Sequence, residues 1–360
     1  MTPQPDRVTS NGLRPPTLGF ITRVSFTSDA GPAAGLRDGI ELFRFAEDLG
    51  IQRGWAYQRH FDSYLSAPLP FFAAVGQHTS RITLGSAVIP LRYQEPVLFA
   101  EAAATTDLLV GERLQLAVSS GGNAWDAVFG LGPTGLTGRA EGQRRLAKFL
   151  AAIDGDVLHT VDEELLGAPP VGTHLRATPY SPTLRSRMWY GSGHVGSAVL
   201  AAQQGLRLIT AAQTEPTEET FAHYQARLIS EYRRTYRDVH DRDAPPVAVP
   251  AFLLPGTTED DLARYEAYDL DRQQNGPASS RPQGALIPSA NPALAGVRFP
   301  PVIRGTPEEV TKAVIDDVGL QAADELILFL PPGFGPAQNK QILRDVVAHV
   351  APNLGWAPTG

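Results

Sequence analysis

Short apolar runs alternate along the whole chain with longer segments whose apolar residues recur every three or four positions. That alternation predicts repeated strand and helix units and a parallel sheet. Eight strands are read this way, at 18–23, 54–58, 82–89, 113–120, 187–191, 206–211, 247–254 and 325–330. A helix is expected after each. Leu36, Ile40, Phe43, Ala46 and Leu49 form a buried stripe ahead of Gly50, which occupies a helix C-cap position. Val97, Ala100, Ala104 and Leu108 repeat the stripe with small residues that let a helix sit close to a sheet. Thr306, Pro307 and Glu309 read as an N-cap, a first-turn proline and a capping-box acid.

Eight such units close into a (β/α)8 barrel, whereas an open doubly wound sheet usually stops at fewer strands. The expected fold is therefore α/β, a TIM barrel with insertions, forming one domain over 17–355 behind a flexible segment 1–16. Two stretches rich in proline and glycine exceed a minimal barrel, at about 156–183 and 275–304. The second is the candidate mobile lid.

Composition narrows the chemistry. The 360 residues carry 31 basic and 38 acidic side chains, a net charge of −7, with no long block of one sign. Nucleic acid and anionic membrane are thus not expected as partners, and a small-molecule substrate is. The absence of cysteine removes disulfides, thiolate nucleophiles and cysteine-ligated zinc, so redox work would need a bound cofactor. The first sixteen residues lack an apolar signal core and no apolar run is long enough to span a bilayer, which makes the cytoplasm the expected location. No two of the eight histidines lie three or four apart, and H-E-x-x-H, G-x-S-x-G and Walker A patterns are missing. A helical metal pair, a serine-hydrolase elbow and a P-loop are thereby not supported.

Barrel enzymes place their chemistry at the C-terminal ends of the strands, so candidates are sought there. After the fifth strand, Gly191-Ser192-Gly193-His194-Val195-Gly196 matches G-x-G-x-x-G and opens a helix, where glycines and unpaired N–H groups receive an anion. Glu215 stands near the spacing of a ribose-binding acid, but four strand and helix units precede the motif, which favours a mononucleotide phosphate over a dinucleotide. Structural glycine packing is the competing explanation. Flavin mononucleotide (FMN) fits the phosphate reading. Arg59 and His60 end the second strand as catalytic candidates, Arg59 to meet an anionic substrate group or cover a flavin edge, or else to make a rim salt bridge. Ser119, Ser120 and Gly122 end the fourth strand as candidate phosphate or ribityl contacts. Small residues from Gly85 through Ala87 and Val88 would let a flat ring lie on the third, an ordinary core strand being the competing reading.

In order, these segments resemble the bacterial luciferase-like monooxygenases, flavin-dependent barrels. The resemblance covers nearly the whole chain and rests on Leu18-Gly19-Phe20, Trp55 to Phe61, Thr83 to Val88 running into Glu95-Pro96-Val97, Asp107-Leu108-Leu109, Gly111 to Leu114, Gly191-Ser192-Gly193 and Gly305 to Glu309. Arg23-Val24 to Phe26 and Gly35 to Leu42 are similar to an FMN-dependent subgroup. The resemblance implies a non-prolyl cis peptide at Ala87-Val88 beneath the isoalloxazine and phosphate contacts at Ser120, Gly122, Gly193, His194 and Ser197, to which the glycine motif itself adds Ser192 as a cofactor-binding candidate. It also implies a separate reductase supplying reduced FMN for reaction with O2, and a homodimer. The chain departs from the family where Gln58 and Arg59 replace an acid and a histidine, leaving His60, and where Ser120 replaces a strand-four arginine whose charge His194 is expected to supply. Relatives of the same fold use a deazaflavin for hydride transfer, and Arg59 in place of histidine also leaves open a flavin-binding protein without turnover.

Overall fold

The computed structural model describes residues 16–26, 31–122, 125–131, 138–164, 166–275 and 296–358. Among them, eight parallel strands form a closed barrel: β1 (Thr17–Thr22), β2 (Arg53–Ala56), β3 (Thr83–Ser86), β4 (Leu114–Ser119), β5 (Met188–Ser192), β6 (Arg207–Thr210), β7 (Val247–Pro255) and β8 (Glu325–Phe329). Each strand pairs with the next, and β8 returns to β1 with Thr17 opposite Glu325. The first seven are followed in turn by α1 (Pro32–Asp48), α2 (Pro68–Gly76), α3 (Pro96–Leu109), α4 (Gly138–Ile153), α5 (Val195–Gln203), α6 (Phe221–His240) and α7 (Glu259–Asn275). Helices α8 (Pro307–Asp316) and α9 (Val318–Gln321) lead into β8, and α10 (Pro336–Asp345) follows it. This is the barrel that the luciferase-like pattern implies.

Two apolar layers hold it. Between strands and helices, Phe20, Phe43, Phe71 and Phe72 interlock edge to face or tilted. Inside the barrel, Trp55 and Trp189 meet edge to face at 5.4 Å beside Ile209, Phe252 and Ile327. Each such ring removes roughly 150–250 Å² from water.

Glycine shifts the helix faces away from those read from apolar residues alone. In α1 the buried line runs through Gly35, Gly39, Leu42, Phe43 and Ala46, with Leu36, Ile40 and Leu49 at its flanks. A Cβ on Gly35 would stand 2.1 Å from the Ser25 carbonyl oxygen, so the helix docks through its bare backbone. In α3, Phe99, Ala100, Ala103, Ala104 and Asp107 face inward, and Leu108 is 43% exposed, with Leu98 and Leu109 at 66% and 58%. Of the predicted stripe, Ala100 and Ala104 are buried as read and Val97 is half-buried, while Leu108 is corrected to the exposed side, Asp107 facing inward in its place.

The third strand ends earlier than expected. Ser86 donates its hydroxyl to the Ala117 carbonyl at 2.8 Å and accepts the Ala117 N–H at 3.0 Å, replacing ladder bonds where β3 stops. The Ala87–Val88 peptide is cis, and pairing resumes with Ile89 opposite Val118. The 156–183 insertion contains a small antiparallel pair, His159–Thr160 with His174–Leu175. Most of the predicted lid, 276–295, and the leading segment 1–15 lie outside the described residues. Val302–Gly305 adds a parallel strand beside the end of β7, and the Thr306 and Glu309 capping box closes as read. No helix among the described residues is long and apolar enough to cross a membrane.

Candidate functional site

At the C-terminal ends of the strands lies a cavity of about 700 Å³. That is within the roughly 300–1,000 Å³ of small-molecule sites. Arg59, Ala87, Val88, Ser119, Ser120, Gly122, Ser192, Gly193, His194 and Ser197 all line it. His60 does not. Its ring packs against Phe129 at 5.0 Å and Tyr93 at 5.9 Å, and burial lowers its pKa below the ordinary histidine value. Arg59 pairs with Asp62 at 3.1 Å, a rim salt bridge of the kind weighed above.

One end of the cavity is polar. Ser120 and Tyr190 share a 2.6 Å hydrogen bond between hydroxyls, and Ser197 lies in the first turn of α5. The motif glycines divide the work differently from the sequence reading. A Cβ on Gly191 would stand 2.5 Å from a methyl of Val88, and one on Gly193 2.2 Å from the Gln213 carbonyl oxygen. Both glycines admit neighbouring protein, and Gly196 is the open one, its nearest neighbour being the Arg139 guanidinium at 3.6 Å. Structural packing thus accounts for two of the three.

Arg139 is the residue that the sequence reading missed. It lies in the first turn of α4, lines the cavity, and reaches to 3.4 Å from Ser197 Oγ. Among the described residues it has no carboxylate partner. His194, the expected source of positive charge, is instead 3.4 Å from Glu215, whose other oxygen accepts the Tyr224 hydroxyl at 2.6 Å. Burial works to raise the Glu215 pKa, but Tyr224 and His194 outweigh it and hold the carboxyl below its usual range. Glu215 is thereby committed to protein and does not line the cavity, which argues against a ribose-binding role.

The other end is apolar and floored by Ile21, Ala87, Val88, Ile209 and Phe329. Gln58 reaches its edge. The Gln58 amide nitrogen bonds His60 Nε2 at 3.0 Å and the Ser66 carbonyl at 3.0 Å, leaving Oε1 buried without a partner. The donor side of the amide is assigned by these partners. Gln58 was noted only as a missing acid; its unmet acceptor becomes visible once His60 and Ser66 are in place. At the strand-three end, Gly85 serves Trp55, whose ring a Cβ would meet at 2.2 Å, so only Ala87 and Val88 are left facing the cavity as small residues.

A cavity at the mouth of a barrel, lined on one part by Arg139 and serine hydroxyls and on another by apolar side chains, has the form of a small-molecule site. The family model for luciferase-like monooxygenases matches residues 17–318, and the chain belongs to that family. It is 32% identical over 143 residues to 4-hydroxyprotoasukamycin monooxygenase of Streptomyces nodosus subsp. asukaensis, a match spanning 39% of this chain and 35% of that protein. In structure it is similar to the oxygenating constituent of 3,6-diketocamphane monooxygenase from Pseudomonas putida, a type II Baeyer-Villiger monooxygenase in complex with FMN. That likeness has a TM-score of 0.67 at 15% identity, covering 96% of this chain and 100% of the other. The coenzyme F420 dependent tetrahydromethanopterin reductase from Methanopyrus kandleri matches at 0.64 and 14%, over 94% and 99%. At these identities the structural likenesses establish the fold.

Proposed function

We propose that the chain is the oxygenating component of a two-component monooxygenase, which takes reduced FMN from a separate flavin reductase and acts with O2 on a small organic substrate. The observation that carries this reading is the pairing of Arg139 and Ser197 at one end of the cavity with the Ala87 and Val88 shelf at the other. When bound, reduced FMN supplies the electrons that activate O2.

The chain's own residues bind, orient and exclude water. Arg139, the Ser197 hydroxyl and the amino end of α5 receive the phosphate, with Ser120 and Gly122 beside them. Ile21, Ile209 and Phe329 keep the shelf dry. Gln58 Oε1 accepts a proton-bearing group of the ring or of the substrate. His60 acts through Gln58 as a positioning residue, and Arg59 stays at the rim.

The likeness to a deazaflavin enzyme supports a second reading, hydride transfer with that cofactor. Anaerobic titration of the protein's tryptophan fluorescence with reduced FMN and with reduced deazaflavin separates the two. The expected result is saturable quenching by FMN, followed by substrate-dependent O2 uptake once a reductase is added. Retention of deazaflavin alone would transfer the site to hydride chemistry, FMN retention without O2 uptake on any substrate would make it a binding protein, and retention of neither would remove the flavin reading.

A further inference from the structure

Where β1 opens into the mouth, Arg23 is 6% exposed, and its Nε and Nη1 are buried with no hydrogen-bond partner. Its guanidinium carbon lies 4.7 Å from the ring centre of Tyr57, 5.2 Å from Tyr64 and 5.5 Å from Phe329. Tyr57 and Phe329 both line the cavity, whereas Arg23 does not line it and adjoins it through these two rings. Aromatic rings satisfy the faces of a guanidinium but leave its in-plane N–H groups unmet, and a desolvated cation in that condition is costly.

The carboxylates around the mouth do not relieve it. Asp62 is taken by Arg59, Asp126 by Arg92, and Asp269 by Arg304 at 3.0 Å. A second cation stands near: Arg272 lies 4.4 Å over the Phe252 ring, which stacks on Phe329 at 4.8 Å, and burial, together with the charge of Arg23, lowers the Arg272 pKa. Two buried guanidinium groups thus stand beside the mouth among aromatic rings, Arg272 donating to the Pro300 carbonyl at 2.9 Å and Arg23 with Nε and Nη1 unmet.

We infer that the substrate is an aromatic or conjugated anion, a carboxylate being the simplest, whose charge is bound by Arg23 while its apolar body lies against Tyr57 and Phe329. The inference rests on the proposed monooxygenase reading and names the substrate class for it. Arg23 is a specificity residue, because a neutral amide of equal shape would offer one acceptor in place of two and leave the guanidinium charge unbalanced.

Benzoate and benzamide, one ring with and without the charge, are suitable probes, titrated calorimetrically into the protein with and without FMN. Benzoate is expected to bind at least tenfold more tightly than benzamide, Arg23→Gln to abolish that preference, and Arg23→Lys to restore part of it. Should the variants not fold, phenylglyoxal modification of the wild type with peptide mapping gives the same answer: benzoate, and not benzamide, should protect Arg23. Equal affinities, no benzoate binding at millimolar concentration, protection confined to Arg59 or Arg139, or an Arg23 that phenylglyoxal never modifies would overturn the inference. Loss of FMN retention with the benzoate preference intact would instead strike the cofactor reading alone.

Discussion

At the N-terminal ends of the strands three arginines are paired with carboxylates inside the fold, whereas at the mouth Arg23 and Arg139 have no such pair among the described residues. Arg53 lies 2.6 Å from Glu325, Arg187 lies 2.6 Å from Asp107, and Arg233 lies 2.6 Å from Asp324, each pair tying one strand start to another element. Glu47 is met by the backbone N–H groups of Ser80, Arg81 and Ile82 at 2.6–3.0 Å. At the mouth, Arg23 and Arg139 have no carboxylate partner among the described residues. Charge that the fold has already matched serves stability, and charge left unmatched beside a cavity is free to meet the ligand proposed above. This is the division of labour expected of a barrel's two faces.

The strongest way to break that comparison is to unmatch the floor. Glu325 is fully buried; burial pushes its pKa up, against the pull of Arg53 and Arg207. Glu325→Ala would strand both guanidinium groups and is expected to cost about 3–5 kcal/mol in urea unfolding, with Glu325→Gln costing less. FMN affinity of the molecules that remain folded should not change. A variant that kept its stability and lost FMN would reverse the roles assigned to the two ends.

Arg139 offers the opposite experiment. Arg139→Gln is expected to weaken FMN about tenfold, near 1.4 kcal/mol. It should leave riboflavin, which lacks the phosphate, unaffected, and move stability by no more than about 0.5 kcal/mol. Equal losses for FMN and riboflavin would mean that Arg139 shapes the cavity and does not meet the phosphate.

How far the sequence carried this picture differs between fold and site. The eight strands were legible because each is a short apolar run between turn residues, and their starts fall within a residue or two of the observed ones. Helix faces were less so, since Gly35 and Gly39 bury backbone that no hydropathy pattern registers. The cis peptide at Ala87-Val88 falls where the family resemblance put it. Arg139 escaped because the search kept to strand ends, and α4 returns to the mouth from a segment with no motif. Arg23 was noticed only as part of a resemblance. Its unmet N–H groups are a property of Tyr57, Tyr64 and Phe329 converging from separate parts of the chain, and no local pattern encodes that meeting.

Glu47 gives the smallest and most discriminating test, since its counterpart is backbone. Burial would raise its pKa, but the N–H groups of Ile82, Arg81 and Ser80, with the Arg81 charge, overcome that and hold it below the ordinary glutamate value. A carboxyl depressed in the folded state contributes stability that is fully present above the unfolded value. That contribution is lost as pH falls through the folded value. Glu47→Gln keeps one acceptor but turns an amide donor toward backbone donors, so a loss of about 1 kcal/mol is expected at pH 7. Urea midpoints of wild type and variant should converge as pH falls through the depressed folded-state value, below which Glu47 is protonated and neutral like the variant. FMN affinity should be the same for both at pH 7. A gap that stayed constant with pH would mean that Glu47 acts through packing alone, and the floor would then rest less on matched charge than the comparison holds.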